Sequence, residues 1–332
     1  MTQSKKELVL AALNNRPVDR VPVGFWFHFT QEEERGLGLT QPEIVERNVA
    51  GHFAFYDAFK PDFVKIMSDG FFAYPNERLR DVKSLADLQD IRPVGEQHPW
   101  IQGQVELVRR LTQKFGGEVL TFYNIFAPIK YLRLLQKQNP NRAAAELLAK
   151  EPQALKRVLD VIAEDIAALS RLVITEGGAD GIYFSVQNIP EPEVTKELYR
   201  EIIAPGELSV LAAANSVSEN NLLHICGFRG NRNDLSWYTD YPAKAVNWAV
   251  NVENIPLAEG KALFGGRAVI GGFNNTAEGI LYSGSKEQVE AFTEGLVKGA
   301  GHKGVILGAD CTVPNDIDLK RLEWVRKAAA LF

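Results

Sequence analysis

Cysteine is nearly absent: Cys226 and Cys311 are the only two in 332 residues. Two thiols so far apart argue against a disulfide framework and for a reducing compartment. No apolar stretch approaches the length of a membrane span, and the opening Met-Thr-Gln-Ser-Lys-Lys lacks a signal-peptide core. A cytoplasmic protein without membrane contact is therefore expected. Neither charge dominates: the net charge is −5, and basic runs such as Lys5-Lys6 and Arg109-Arg110 are too short to form patches. Nothing in that distribution marks a nucleic-acid partner. Low-complexity linkers, shifts of composition and short repeats are also missing, so residues 1–332 are expected to form one domain.

What the chain does contain is a regular alternation of strand and helix patterns. Strands are expected at Val21–Phe27, Phe63–Met67, Glu118–Phe126, Ala179–Val186, Asn221–Gly227, Ala245–Val250, Ala268–Phe273 and Val305–Ala309. An amphipathic helix from Ser4 to Asn14 precedes them. Helical patterns fill the intervals at Gln41–Phe59, Arg80–Gly116, Asn141–Thr175 (broken at Glu151-Pro152) and Pro192–Glu219. Ser285 with Gln288 forms a capping-box pattern opening a helix to Val297, and Asp318–Leu331 closes the chain. Eight such units predict an α/β fold, a single (β/α)8 TIM barrel with an N-terminal helical extension.

The most informative stretch is Asn221-Leu-Leu-His-Ile-Cys-Gly. His224 and Cys226 are two apart, so a strand projects both from one face, and Gly227 ends it there. Cys311 likewise follows the apolar run Val305-Ile-Leu-Gly-Ala. A buried cysteine is commonly just a small hydrophobe. Here, however, both cysteines end strands, and one has a histidine at ligand spacing. One imidazole and two thiolates suit Zn2+ with a fourth position open for chemistry.

Barrel enzymes place their sites at the C-terminal ends of the strands. His224, Cys226 and Cys311 fall there, as do His28, Asp69, Asn124, Gln187, Asn247, Asn274 and Asp310. His52 and His98 lie in helical or loop stretches, and His302 precedes the last strand.

Ala12-Leu-Asn-Asn-Arg-Pro-Val-Asp-Arg-Val-Pro-Val, Met67-Ser-Asp, Gly178-Ala-Asp-Gly-Ile and Gly271-Gly-Phe-Asn-Asn together resemble the uroporphyrinogen decarboxylase superfamily. The resemblance runs from residue 7 to 328 and implies a (β/α)8 barrel. In its decarboxylase branch, arginines after the first strand hold the substrate's propionates, and a Leu-Gly-His-Gly motif follows the last strand. This chain has Phe25-Trp-Phe-His-Phe-Thr-Gln and Leu307-Gly-Ala-Asp-Cys instead. Asp69 matches the family's catalytic aspartate, but a polyanionic porphyrinogen requires cations that this segment lacks.

The other branch comprises zinc-dependent methyltransferases that move a methyl group from a corrinoid protein to a thiol such as coenzyme M. Their His-x-Cys and distant Cys pattern matches His224, Cys226 and Cys311 residue by residue. Cobalamin-independent methionine synthase uses a similar set with an added glutamate. Here Asn247 stands at the corresponding strand end and Glu253 a few residues beyond it.

The resemblance thus implies a methyltransferase with Zn2+ held by His224, Cys226 and Cys311. Its methyl donor is methylcobamide on a partner corrinoid protein, and its acceptor is a small thiol bound as zinc thiolate. Asp69 is the expected catalytic residue, and His28, Asn124, Gln187, Asn247 and Asn274 the expected substrate-binding set. Two readings stand beside it. One is a metal-independent decarboxylase or lyase acting on a small carboxylate around Asp69. The other is a non-catalytic corrinoid- or thiol-binding barrel.

Overall fold

Seven short strands form one sheet in the computed structural model, which describes residues 3–86, 88–115 and 117–332. They are β1 (Phe63–Ile66), β2 (Leu120–Phe126), β3 (Gly181–Val186), β4 (Leu222–Ile225), β5 (Ala245–Trp248), β6 (Ala268–Phe273) and β7 (Val305–Ala309). All neighbours pair in parallel and in sequence order, as βα repetition requires. The result is a curled parallel sheet of TIM-barrel type with helices outside it.

Side-chain parity divides the core in two. Phe63, Leu120, Phe122, Tyr183, Leu222, Ala245, Ala268 and Ile306 form an inner cluster. Their sequence neighbours, among them Val64, Tyr123, Ile182, Leu223, Val246 and Val269, pack outward against the helices. This period of two puts His224, in register with Ser185 and Asn247, on the inner face. The expected N-terminal helix is present as Lys5–Leu13, capped by Ser4 and Glu7. Its Val9, Ala12 and Leu13 belong to the inner cluster and plug the floor of the sheet.

Five helices begin with proline: Pro42–Phe59, Pro99–Phe115, Pro128–Leu134, Pro140–Lys150 and Pro152–Thr175. At a first helical position the missing N–H costs nothing and the fixed φ is already helical. Ser285 and Gln288 form the expected capping box on Lys286–Ala300.

Two expectations require correction. Val21–Phe27 is not a strand of the sheet; only Val23 makes an isolated bridge, to Leu307. Pro22 has no N–H to offer, and a side chain at Gly24 would strike the Phe63 ring. The segment nonetheless spans the gap between β7 and β1. Gly24 N donates to Leu307 O, Leu307 N to Pro22 O, and Asp62 N to Val23 O, at 2.8–3.1 Å.

The stretch from Arg80 to Gly116 is helical over Pro99–Phe115 and otherwise mainly turns and extended chain; Asp87 and Gly116 lie outside the described residues. Buried Asp165 explains part of this, because its carboxylate accepts from Val94 N and Gly95 N at 2.9 Å. A side chain here takes backbone donors that helix would otherwise use.

Candidate metal centre

The sequence brings three ligand atoms to one point above the strand ends. Cys226 Sγ and Cys311 Sγ lie 4.0 Å apart, and Cys311 Sγ is 3.8 Å from His224 Nε2. All three ligand atoms fall within 4.8 Å of one another. Tetrahedral coordination with ~2.3 Å zinc–sulfur bonds separates two thiolates by about 3.8 Å, so the donor set and its spacing fit a zinc ion. Cys226 N donates to Val186 O at 2.9 Å, which fixes the residue just beyond β4.

The thiols act as a pair. The hydrogen bond with Cys311, together with burial, pushes Cys226 well above the usual thiol range. Hydrogen bonds with Cys226 and His224 outweigh burial at Cys311 and hold it well below that range.

Asn247 sets the histidine. Its Nδ2 donates to Ile270 O at 2.9 Å, so its Oδ1 faces His224 Nδ1, 2.5 Å away. The imidazole therefore carries its proton on Nδ1 and turns the Nε2 lone pair toward the sulfurs. Gly271 makes room for this arrangement: it adopts φ +135°, and a Cβ there would stand 3.1 Å from Asn247 Nδ2. Asn247 is fully buried behind the ring and does not line the cavity that the triad borders.

The triad borders a cavity of about 310 Å³ that His28, Asn124, Lys65 and Lys130 also line. Asp69 is buried one layer back. It accepts from Phe29 N and Thr30 Oγ1 and lies 2.7 Å from His28 Nδ1. Burial pushes its carboxyl up, but the charges of His28 and Arg35 and the hydrogen bonds hold it below the usual carboxylate range. His28 Nε2 faces Thr312 Oγ1 at 3.4 Å, beside Cys311. The histidine thus meets the cavity and the aspartate orients it.

Other sequence-selected residues are placed differently. Asn124 donates to Ser68 Oγ at 3.0 Å within the cavity wall. Gln187 accepts from Arg133 at 3.0 Å and belongs to a neighbouring cavity. Asn274 caps a turn through Thr276 N and does not line the metal-site cavity. Its neighbour Asn275 is the one that braces the Cys311 loop, donating to Thr312 O at 3.0 Å. Glu253 is taken by Asn233, whose Nδ2 also supports Cys226 O, so it stands outside the ligand cluster.

Two lysines were not selected from sequence. Lys65 lies over the Trp26 and Tyr183 rings, 5.1 and 4.2 Å from their centroids, and burial lowers it to about 8. Its signal was a lysine at the inward parity of the apolar run Phe63-Val-Lys-Ile-Met. Burial also lowers Lys130, again to about 8.

The uroporphyrinogen decarboxylase (URO-D) profile matches residues 4–331. The chain belongs to the uroporphyrinogen decarboxylase family. No curated protein matches it. Among solved structures, this family member resembles a methyltransferase from Methanosarcina mazei, with 17% identity, TM-score 0.71 and 99% of each chain covered. It also resembles a B12-independent methionine synthase from Shewanella sp. W3-18-1, with 12% identity and TM-score 0.50. That match covers 94% of this chain and 97% of the other. At such identities the likeness shows a shared fold. Among the described residues, no helix is long and apolar enough to cross a membrane.

Proposed function

We propose that this family member is a zinc-dependent methyltransferase that moves a methyl group from a methylated corrinoid, carried by a partner protein, to a small thiol. The observation that carries the reading is the convergence of His224 Nε2, Cys226 Sγ and Cys311 Sγ on one cavity. His224, Cys226 and Cys311 would hold the zinc ion, which would supply Lewis acidity toward the acceptor thiol at neutral pH.

The chain's own residues do the rest. Asn247 keeps the His224 lone pair pointed at the metal position. Lys65 places a buried ammonium on the cavity wall, offsetting the negative charge that two thiolates bring. His28, held by Asp69, is the group on the cavity wall to take the thiol's proton at Nε2. The freed sulfur pair forms the new S–C bond as the donor–methyl bond breaks, its electron pair staying on the corrinoid, which leaves reduced. Asn124 lines the triad's cavity, which supports its expected contact with the acceptor, whereas Gln187 lines the neighbouring cavity and Asn274 lines neither. The lyase reading places Asp69 at its centre, yet Asp69 does not line the cavity, so the geometry favours methyl transfer.

Protein purified without chelator is expected to hold about one zinc per chain. Cys226→Ser and Cys311→Ser each lose most of it while remaining folded. With free methylcobalamin as surrogate donor and a panel of small thiols, thiol-dependent demethylation should disappear on removing zinc and return on restoring it. Equal rates with and without zinc, or full zinc occupancy in both serine variants, would defeat the reading.

A further inference from the structure

A second cavity of about 840 Å³ adjoins the first, sharing Glu32, Lys130, Leu134 and Phe228 with it. Its wall is crowded with cations: Lys130, Arg133, Lys137, Arg142, Arg229 and Arg232. Its acids are Glu32 and Glu191. Both acids are already engaged, Glu32 by Arg229 at 2.8 Å and Glu191 by Arg142 at 3.4 Å. Lys137 pairs with Asp81 at 3.5 Å, outside the cavity. Among the described residues, Lys130, Arg133 and Arg232 have no carboxylate within ion-pairing distance, and Arg232 acts on Glu253 only from further away.

Arg133 is the telling member. Its exposure is 5%, and its Nη2 donates only to neutral acceptors, Gln187 Oε1 at 3.0 Å and Asn141 Oδ1. Its Nε and Nη1 have no partner. Burying an unpaired guanidinium is costly, and a carboxylate or phosphate is the partner its planar fork fits. Lys130 stands at the junction of the two cavities without a hydrogen-bonding partner of its own. A chain of net charge −5 has therefore gathered three cations without an ion-pairing carboxylate around one opening, the buried Arg133 foremost among them.

We propose that the second cavity is a binding site for a multiply charged oxyanion, a phosphate ester or polycarboxylate, with Arg133 as its main ligand. Three unpaired cations match a group bearing two or more charges better than a single carboxylate. The shared wall lets a molecule anchored here extend toward the triad. That extension rests on the methyl-transfer reading, whereas the anion site does not.

The test uses the full chain, zinc-loaded and zinc-stripped, titrated calorimetrically with pyrophosphate and with tricarballylate against a chloride background of matched ionic strength. Saturable binding of at least one polyanion, insensitive to zinc, is expected. Tighter pyrophosphate binding assigns a phosphate ester, and tighter tricarballylate binding a polycarboxylate. Arg133→Gln should weaken the preferred anion at least tenfold, while Lys137→Gln, on the rim and already paired, changes it less than twofold. If Arg133→Gln does not fold, Lys130→Gln and Arg232→Gln replace it, each with at least a threefold loss. Absence of saturable binding by either anion, or unchanged affinity in folded Arg133→Gln or in both replacements, overturns the proposal. Because the titration needs no methyl donor, it stands or falls apart from the methyltransferase reading.

Discussion

A single amide decides what His224 can do. Asn247 Nδ2 is committed to the Ile270 carbonyl, and that commitment leaves only Oδ1 for the imidazole. Partners behind a metal-binding histidine commonly contribute ten- to hundredfold in affinity. Asn247→Ala should accordingly weaken zinc by about that factor in a competition titration with a chromophoric chelator. Unchanged affinity would show that the tautomer is set elsewhere. His28→Gln should leave zinc occupancy intact while lowering kcat and altering its pH profile, since glutamine cannot accept the proton. Loss of the metal in that variant would instead give His28 a structural part in the centre. The triad was legible in sequence because cysteine is so scarce that both thiols invited attention. Lys65 and Lys130 were not, since a lysine declares itself part of a cavity only when the sheet curls around it.

At the scale of elements, the seven strands were readable from their short apolar, β-branched and aromatic runs, and each lies within the stretch expected for it. The eighth expectation failed at Val21–Phe27 because proline and glycine interrupt its ladder, although the segment still occupies its place between β7 and β1. Residues 80–98 misled for a different reason: Asp165, 71 residues from Val94 in sequence, draws the backbone out of helix. Gly24→Ala tests the closing segment directly. Its new methyl group would press on Phe63, and over-packing of this kind costs about 1–3 kcal/mol in urea unfolding. A change under about 0.5 kcal/mol would mean the segment shifts freely. Removing residues 1–14 strips the floor plug of Val9, Ala12 and Leu13. That truncation should bind a hydrophobic dye and melt well below the full chain; an unchanged melting temperature would show the floor closes without it.

For the whole molecule, pH acts through a carboxyl outside the candidate metal centre. Glu207 is fully buried and accepts from Tyr199 and Tyr241, while Tyr238 bonds Tyr199 in turn. Burial raises it to about 7, against the opposing hydroxyls and the charge of Arg200. A carboxyl raised in the fold stabilises fully below its unfolded pKa, and that contribution fades as pH rises through the folded value. Between about pH 4.5 and pH 7 this group alone should remove up to about 3 kcal/mol. Glu207→Gln should flatten that part of the stability profile in denaturant titrations, and an unchanged slope would contradict the assignment. The two thiols, finally, follow β4 and β7, far apart around the sheet, and stand 4.0 Å apart at its mouth. Without a metal between them they are a pair awaiting an oxidant: a mild one such as diamide would take two electrons and two protons and join the strands by a disulfide. Loss of both free thiols, blocked when zinc is bound and reversed by dithiothreitol, is the expected assay result. Aerobic handling of the stripped protein would then fasten its mouth shut, and apparent inactivity under air would report oxidation state rather than chemistry.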